Sequence, residues 1–283
     1  MPFRIVQSKQ NPRLKQLRRA LSQPLREAGM GGHSLAGIEG PNLLEEAVRA
    51  GLRIECVFVA EGREDLLHSI ALPRETEVIA LGNGLLDAAM TTEAPQPVAA
   101  LVEAPEWTWE DLLKNPASNA SLLLVLAGLQ DPGNLGTILR SAEAFGAHGV
   151  LSLPGTVSAW NPKAVRASAG SVFRLPIVVA SEGDCFFRLK EAGVKVWTTT
   201  VHSAQPADRV NLAGPVALLI GNEGNGVPVD LATRADGSLT IPCPGPVESL
   251  NAAVATSVLL YEAARQRSTK ASKNPPASPE SCP

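Results

Sequence analysis

Between residues 11 and 28, leucines recur every three or four positions, at Leu14, Leu17, Leu21 and Leu25, with arginines and lysines between them. That period predicts a helix starting after Asn11, apolar on one face and basic on the other. Shorter alternating runs follow. SLAGIEG (34–40) reads as a strand, PNLLEEAVRAG (41–51) as a helix opened by Pro41 and closed by Gly51, and IECVFVA (54–60) as a strand. REDLLHSIA, EVIA and NGLLDAAM continue the rhythm and complete an α/β unit of roughly 100 residues, a usual domain size. Residues 95–121 bring prolines, two tryptophans and a polar run, and separate this unit from a second apolar start.

That second unit opens on the buried-strand run LLLVLAGL (122–129), continues through a helix at 134–146, and offers further strands at GVLSL, PIVVA, VKVWTTT, PVALLIG and SLTIP. Apolar strands separated by helical stretches predict an α/β fold with a mostly parallel sheet covered on both faces. A last helix over 250–267 carries Val254, Val258, Leu259 and Tyr261, and the polar, proline-rich stretch after it cannot pack. The expected organisation is a small domain over 1–105, a linker over 106–120, a larger domain over 121–267 and a disordered tail over 268–283.

Composition narrows the class. With 283 residues and 45% hydrophobic content the chain can bury a sizeable core. No run reaches the roughly 18 apolar residues of a membrane span, and the N-terminal stretch lacks the apolar centre of a signal peptide; the expected location is the cytoplasm. Four scattered cysteines and four scattered histidines form no metal-ligand spacing and no disulfide framework, so no metal is expected. Net charge is −3, yet Arg4 to Arg26 holds seven basic residues and no acid. A charge run is usually a solvated face, but a one-signed run on a helix favours phosphate contact.

Three polar, glycine-bearing loops follow strands of the second unit, where ligands of open α/β sheets gather. In LQDPGNLGTILRSAEAFGAHGV, Asn134 is placed to cap a helix, Gly136 to let backbone approach a ligand, and Arg140 stands in the first turns, against the helix dipole. The plain alternative is a cap and a surface arginine. LLIGNEGNGVP presents three glycines and one charge, Glu223, with no lysine nearby, which disfavours a polyphosphate and suits a ligand carrying hydroxyl, amine or guanidinium donors. In IPCPGPVESLNAAVATS, Ser249 and Asn251 both stand at a helix start, where capping accounts for only one of them.

In this order, Asn134-x-Gly136-x-x-x-Arg140, Gly221-x-Glu223-x-x-Gly226 and Ile241-Pro242 to Ser249-Leu250-Asn251 resemble the three motifs of the SpoU (TrmH-type) family of SPOUT-class RNA 2′-O-ribose methyltransferases. Lys163-Ala-Val-Arg166-Ala-Ser168-Ala-Gly170 resembles the family's segment between the first two motifs, and the N-terminal part is similar to the small RNA-binding domain that precedes the catalytic domain in many members. The resemblance implies a deep C-terminal trefoil knot, a homodimer, and S-adenosylmethionine as cofactor for methylation of a ribose 2′-hydroxyl, with ribosomal RNA favoured over transfer RNA. By motif position it implies Thr200, Gly221, Gly226, Ile241 and Leu250 as cofactor-binding residues. It implies Asn134, Arg140, Glu223, Ser249 and Asn251 as the catalytic cluster. Arg13, Lys15, Arg18, Arg19, Lys163 and Arg166 would then touch RNA. Two roles stay open for Arg140: a base with lowered proton affinity, or a charged group that binds phosphate and positions the hydroxyl, the simpler role for a guanidinium.

Two other classes compete. A catalytically silent RNA-binding protein would dispense with the loop glycines or Arg140, and a nucleotide-dependent enzyme would need a phosphate cradle that the chain lacks. Charge reversal at Arg18 and Arg19 is expected to weaken RNA binding and flatten its dependence on salt; an unchanged salt slope would count against a phosphate-binding helix.

Overall fold

The computed structural model describes residues 4–22, 34–82, 84–113, 121–201, 204–246 and 249–273. The end of the first predicted helix, with Leu25 and Arg26, the linker residues 114–120 and the tail from 274 onward lie outside the described residues. The chain divides into two compact units. One comprises Met1–Trp107, Asp131–Arg140 and Val157–Leu175; the other comprises Thr108–Gln130, Ser141–Thr156 and Pro176–Pro283.

The first unit is built on a five-stranded sheet. Its elements are β1 (Arg4–Val6), α1 (Pro12–Ser22), β2 (Leu35–Glu39), α2 (Pro41–Arg49), β3 (Ile54–Ala60), β4 (Glu77–Leu81) and β5 (Val98–Glu103), and the strand order is β1-β4-β3-β5-β2. Asn11 opens α1 by accepting the N–H groups of Arg13 at 2.9 Å and Leu14 at 3.2 Å. Leu14, Leu17 and Leu21 then lie in one cluster with Phe58, Ile79 and Leu101 of the sheet, each leucine stabilising by about 2 kcal/mol when fully buried. The predicted apolar face is the core face. Burial also pushes the Cys56 thiol up to about 12, making it an inert core residue.

The second unit holds a seven-stranded sheet in which every pairing is parallel. In chain order, after α3 (Trp109–Leu113) come β6 (Leu122–Leu126), α4 (Pro132–Ala144), β7 (Gly149–Ser152), α5 (Pro162–Ala167), β8 (Ile177–Val179), α6 (Glu182–Glu191), β9 (Lys195–Thr199), β10 (Gln205–Pro206), β11 (Val216–Ile220), α7 (Val229–Ala232), β12 (Gly237–Thr240) and α8 (Ala252–Lys273), of which α5 and α4 as far as Arg140 belong to the first unit. The sheet order is β10-β12-β9-β11-β6-β7-β8. The chain therefore steps from β6 outward to β8, then crosses to the other side, which makes the β6/β11 border the switch point where a ligand crevice is expected. β6 and β11 are buried along their whole length, as their uninterrupted apolar runs require.

Four expectations change. Residues 95–121 are not simply a boundary: VAALVE forms β5, antiparallel to both neighbours, so the first sheet is mixed. Prolines on its flank mask a short strand. Trp109–Leu113, assigned to the linker, forms a helical turn started by Thr108 and Asp111. REDLLHSIA and NGLLDAAM supply only single 3₁₀ turns, Glu64–Leu67 and Asp87–Ala89. The last helix runs to Lys273, past the predicted end, because the chain meets no proline before Pro275.

α8 is tied back by Arg267, whose guanidinium donates to the carbonyls of Leu212 (3.1 Å), Gly214 (2.7 Å) and Ser121 (3.2 Å). His148 stands near it and accepts the Leu122 N–H on Nδ1 at 3.1 Å. Burial, and then the Arg267 charge, lower the His148 pKa from its ordinary 6.5. The unfolded chain thus takes up a proton that the fold resists, so this part of the stability is full above pH 6.5 and is lost as pH falls below it. The melting temperature is expected to decline below pH 6.5 more steeply in the natural protein than in His148→Gln; parallel profiles would exclude His148 as the cause.

Candidate active site

Four strands of the second unit send their C-terminal ends to one edge: β6 into Ala127-Gly128, β9 into Thr200, β11 into Gly221 and β12 into Ile241. Around these ends lies a cavity of about 1100 Å³. Its wall is organised by a residue that the sequence reading passed over, Asn222. Its backbone N–H and C=O pair with Gly226, both at 2.9 Å, closing the loop 222–226 on itself. The side-chain Oδ1 accepts from the N–H groups of Gly224 (2.9 Å) and Asn225 (3.3 Å), while Nδ2 donates to the Gly128 carbonyl at 2.8 Å. An asparagine within a glycine-rich turn is the signal that could have found it.

Two glycines make that closure possible. At Gly221 a β-carbon would collide with the backbone of Gly226 and Val227, and Gly226 has φ of +68°, where side chains are strained. Gly221, Glu223 and Gly226 all line the cavity, and Glu223 Oε2 also accepts the Gln130 N–H at 3.4 Å. Glu223 is the only charged side chain on the described wall.

The opposite wall is the 241–250 loop and the start of α8. Ile241, Ser249 and Leu250 line the cavity, as does Thr200, and the small Ala252 and Ala255 let the helix come close. Asn251 is not among the lining residues. It is the N-cap of α8, its Oδ1 accepting from Ala253 (2.9 Å) and Val254 (3.3 Å). Of the two polar residues expected at this helix start, Asn251 caps it and Ser249 lines the cavity.

Asn134 and Arg140 belong to the first unit and are not among the residues that line this cavity. Three details of α4 differ from expectation. Its cap is Asp131, which accepts the Asn134 N–H on Oδ1 at 2.7 Å, so Asn134 lies inside the first turn. An Asp before a Pro at the first helical position is a readable start signal. Gly136 packs against another helix: a β-carbon there would strike the Ala164 carbonyl and the Ala167 side chain, so the glycine lets α4 and α5 touch. Arg140, exposed, is the ninth of thirteen helical residues, well past the first turns where a dipole repels a cation.

The basic residues divide. Arg13 is taken up by Glu55 at 3.0 Å and Glu77 at 3.1 Å, Lys163 by Asp131 at 3.0 Å, and Arg166 faces Glu39 at 3.8 Å. Lys163, followed by the Asn134 N–H, holds the Asp131 carboxyl below its usual pKa. These three lie against carboxylates distant in sequence. Lys15, Arg18 and Arg19 stay exposed on α1, with Arg18 donating to the Ala88 carbonyl at 3.2 Å. The described residues contain no cluster of three metal-ligating side chains, and none of their helices is long and apolar enough to cross a membrane.

The chain is 34% identical over 224 residues to the 23S rRNA (guanosine(2553)-2′-O)-methyltransferase RlmP of Bacillus subtilis, covering 79% of this chain and 86% of that protein. Residues 121–261 match the SpoU rRNA Methylase family, and residues 38–108 match the family for RNA 2′-O ribose methyltransferase substrate binding. The chain belongs to the SpoU rRNA methylase family. A second relative in Streptomyces viridochromogenes, a 23S rRNA (uridine(2479)-2′-O)-methyltransferase, is 38% identical over 199 residues, 68% of each chain. Among solved structures, the SpoU methyltransferase AviRb from Streptomyces viridochromogenes, in complex with the cofactor AdoMet, has a TM-score of 0.77 at 29% identity and covers 92% of this chain and 99% of its own. The fold of this SpoU chain is thus that of an α/β methyltransferase.

Truncating the cap is expected to act on stability: Asn251→Ala should lower it by about 1 kcal/mol, whereas Ser249→Ala leaves it unchanged. Chemical denaturation of the two variants checks this, and equal midpoints would remove the capping role.

Proposed function

We propose that this SpoU protein transfers the methyl group of S-adenosylmethionine to a ribose 2′-hydroxyl of ribosomal RNA in the cytoplasm. The observation that carries the reading is the cavity at the strand ends: glycine backbone on one side, small and apolar residues on the other, and, among the described residues of its wall, one carboxylate and no lysine or arginine. Such a wall disfavours phosphate groups and suits S-adenosylmethionine, whose sulfonium and ammonium outnumber its single carboxylate. The relatives named as ribosomal RNA 2′-O-methyltransferases support the substrate class.

When bound, S-adenosylmethionine supplies a methyl group activated by positive sulfur, and the departing thioether is neutral, so no metal is needed to stabilise it. Gly221 and Gly226 would let the loop backbone approach the cofactor, Thr200, Ile241 and Leu250 would enclose it, and Glu223 would supply a counter-charge. Ser249 offers a hydroxyl on the same wall. Arg140 and Asn134 are assigned to the ribose and its phosphate. A guanidinium holds its proton near neutral pH, so the positioning role of Arg140 is the one adopted. Asn251 acts through the helix it caps.

Residues 1–105 are read as the RNA substrate-binding domain, with Lys15, Arg18 and Arg19 as its phosphate contacts, and residues 121–267 as the catalytic domain. The trefoil knot of the SPOUT class belongs to this reading, supported by the convergence of the 221–228 and 241–250 loops on one cavity and by the Arg267 ties of α8. A homodimer is supported by Val254, Val258 and Tyr261, 41–57% exposed at successive turns of α8.

Calorimetry should detect S-adenosylmethionine binding by the purified protein. Arg140→Ala should reduce methyl transfer to ribosomal RNA about 100-fold or more, the scale of losing a preorganised polar group, with cofactor affinity within twofold. Undiminished transfer would sink the role of Arg140, and absence of cofactor binding by the natural protein would sink the reading as a whole.

A further inference from the structure

The first unit contains a chain of contacts that runs from its sheet to the helix carrying Asn134 and Arg140. Arg174 Nη1 lies 2.7 Å from Glu46 Oε2, the two residues being 128 positions apart and both partly buried. Between α5 and Arg174 the backbone turns sharply, with Ala169 at φ of +49° and Gly170 at +88°. Gly170 rests on α2 so closely that a β-carbon would come within 2.8 Å of the Glu46 Cβ. Beside it, the Glu39 side chain is 2% exposed; Oε1 accepts from Thr92 Oγ1 and the Gln96 N–H, while Oε2 has no hydrogen bond and faces Arg166 of α5 at 3.8 Å. A carboxylate buried that deeply needs a compensating cation, and Arg166 supplies it.

From α5 the contacts continue to α4. Lys163 pairs with Asp131, the cap of α4, and Gly136 lets the two helices meet backbone against backbone. Glu39 and Glu46 lie within the part of the chain matched as substrate binding, whereas α4, α5 and Arg174 lie within the part matched as methylase. The contacts thus join the two matched regions inside one compact unit.

We propose that Glu46–Arg174 and Glu39–Arg166 are positioning pairs: they fasten α5 and its following turn to β2 and α2, and through α5 fix α4, so that Asn134 and Arg140 are held in register with the RNA-presenting sheet. This rests on the proposed function, since it assigns the two α4 residues to the ribose. Arg166 and Arg174 then serve catalysis through α4, not by contacting phosphate. The two roles differ in sign. If Arg174 bound phosphate, Glu46 would compete with the RNA, and neutralising it would tighten binding. In a positioning pair, removing either partner does the same harm.

The test uses the full chain, a ribosomal RNA transcript and three variants: Arg174→Gln, Glu46→Gln and the exchange Glu46→Arg/Arg174→Glu. Both single variants are expected to lose about fivefold or more in kcat, the range of coupling along a packed network. KM for RNA and the salt slope of RNA binding should change little, and calorimetric affinity for S-adenosylmethionine should stay within twofold. The exchange should recover most of kcat. Assays run well below each measured melting temperature separate positioning from unfolding. Unchanged kcat in both single variants overturns the proposal. So does failure of the exchange to recover activity, or opposite effects of the single variants on RNA affinity with the Arg174 slope reduced by about 0.7–0.9 as for one lost phosphate contact. Inactivity of the natural protein on every RNA would instead overturn the functional reading.

Discussion

Asn222 stands where β11 leaves the sheet, and its carboxamide joins three pieces of backbone that no strand pairing can satisfy. Nδ2 reaches the Gly128 carbonyl beyond β6, Oδ1 collects the N–H groups of Gly224 and Asn225, and its own peptide pairs with Gly226. The demand is general: a strand end at a switch point leaves polar groups without ladder partners, and each needs a side chain, a turn or water to satisfy it. Here one side chain meets that demand while the loop stays curled back from the strand ends. Gly221 is the second half of the same constraint, since any side chain there would drive Gly226 away and open the loop. The cavity is what remains between this curled loop and the small-residue start of α8.

The parts legible in the sequence are those fixed by local chemistry. Uninterrupted apolar runs identified β6 and β11, the leucine period identified the core face of α1, and the three glycine-bearing loops marked the edge of the sheet that matters. Thr200, Gly221, Glu223, Gly226, Ile241, Ser249 and Leu250 do line one cavity. What was not legible depends on partners far along the chain. Arg13, Lys163 and Arg166 read as free cations because Glu55, Glu77, Asp131 and Glu39 are unrelated to them in sequence. Gly136 read as a ligand contact because nothing in a one-dimensional pattern shows a second helix arriving against it. β5 was hidden for a different reason: its prolines lie on the flank, where they do not interrupt its ladder.

Charge is distributed in a way that the net value of −3 obscures. The described wall of the cavity contains neither lysine nor arginine. α1, by contrast, presents Lys15, Arg18 and Arg19 exposed, the arrangement the proposed RNA contact requires. Between these extremes stand arginines placed against carboxylates, which contribute little long-range field but fix geometry.

Asn251 illustrates how structural and chemical roles coincide. Its Oδ1 accepts the N–H groups of Ala253 and Val254. Those bonds fix where α8 begins, and Leu250 and Ser249 immediately before it, with Ala252 just after, form the cavity wall. A shift in the helix start by one residue would rotate every one of them by about 100° around the axis, given 3.6 residues per turn. The cap therefore acts on cofactor binding through register, and a substitution there would weaken cofactor affinity and stability together. A residue that touched the reacting atoms would instead reduce transfer with stability intact, which is the behaviour that separates Asn251 from Arg140.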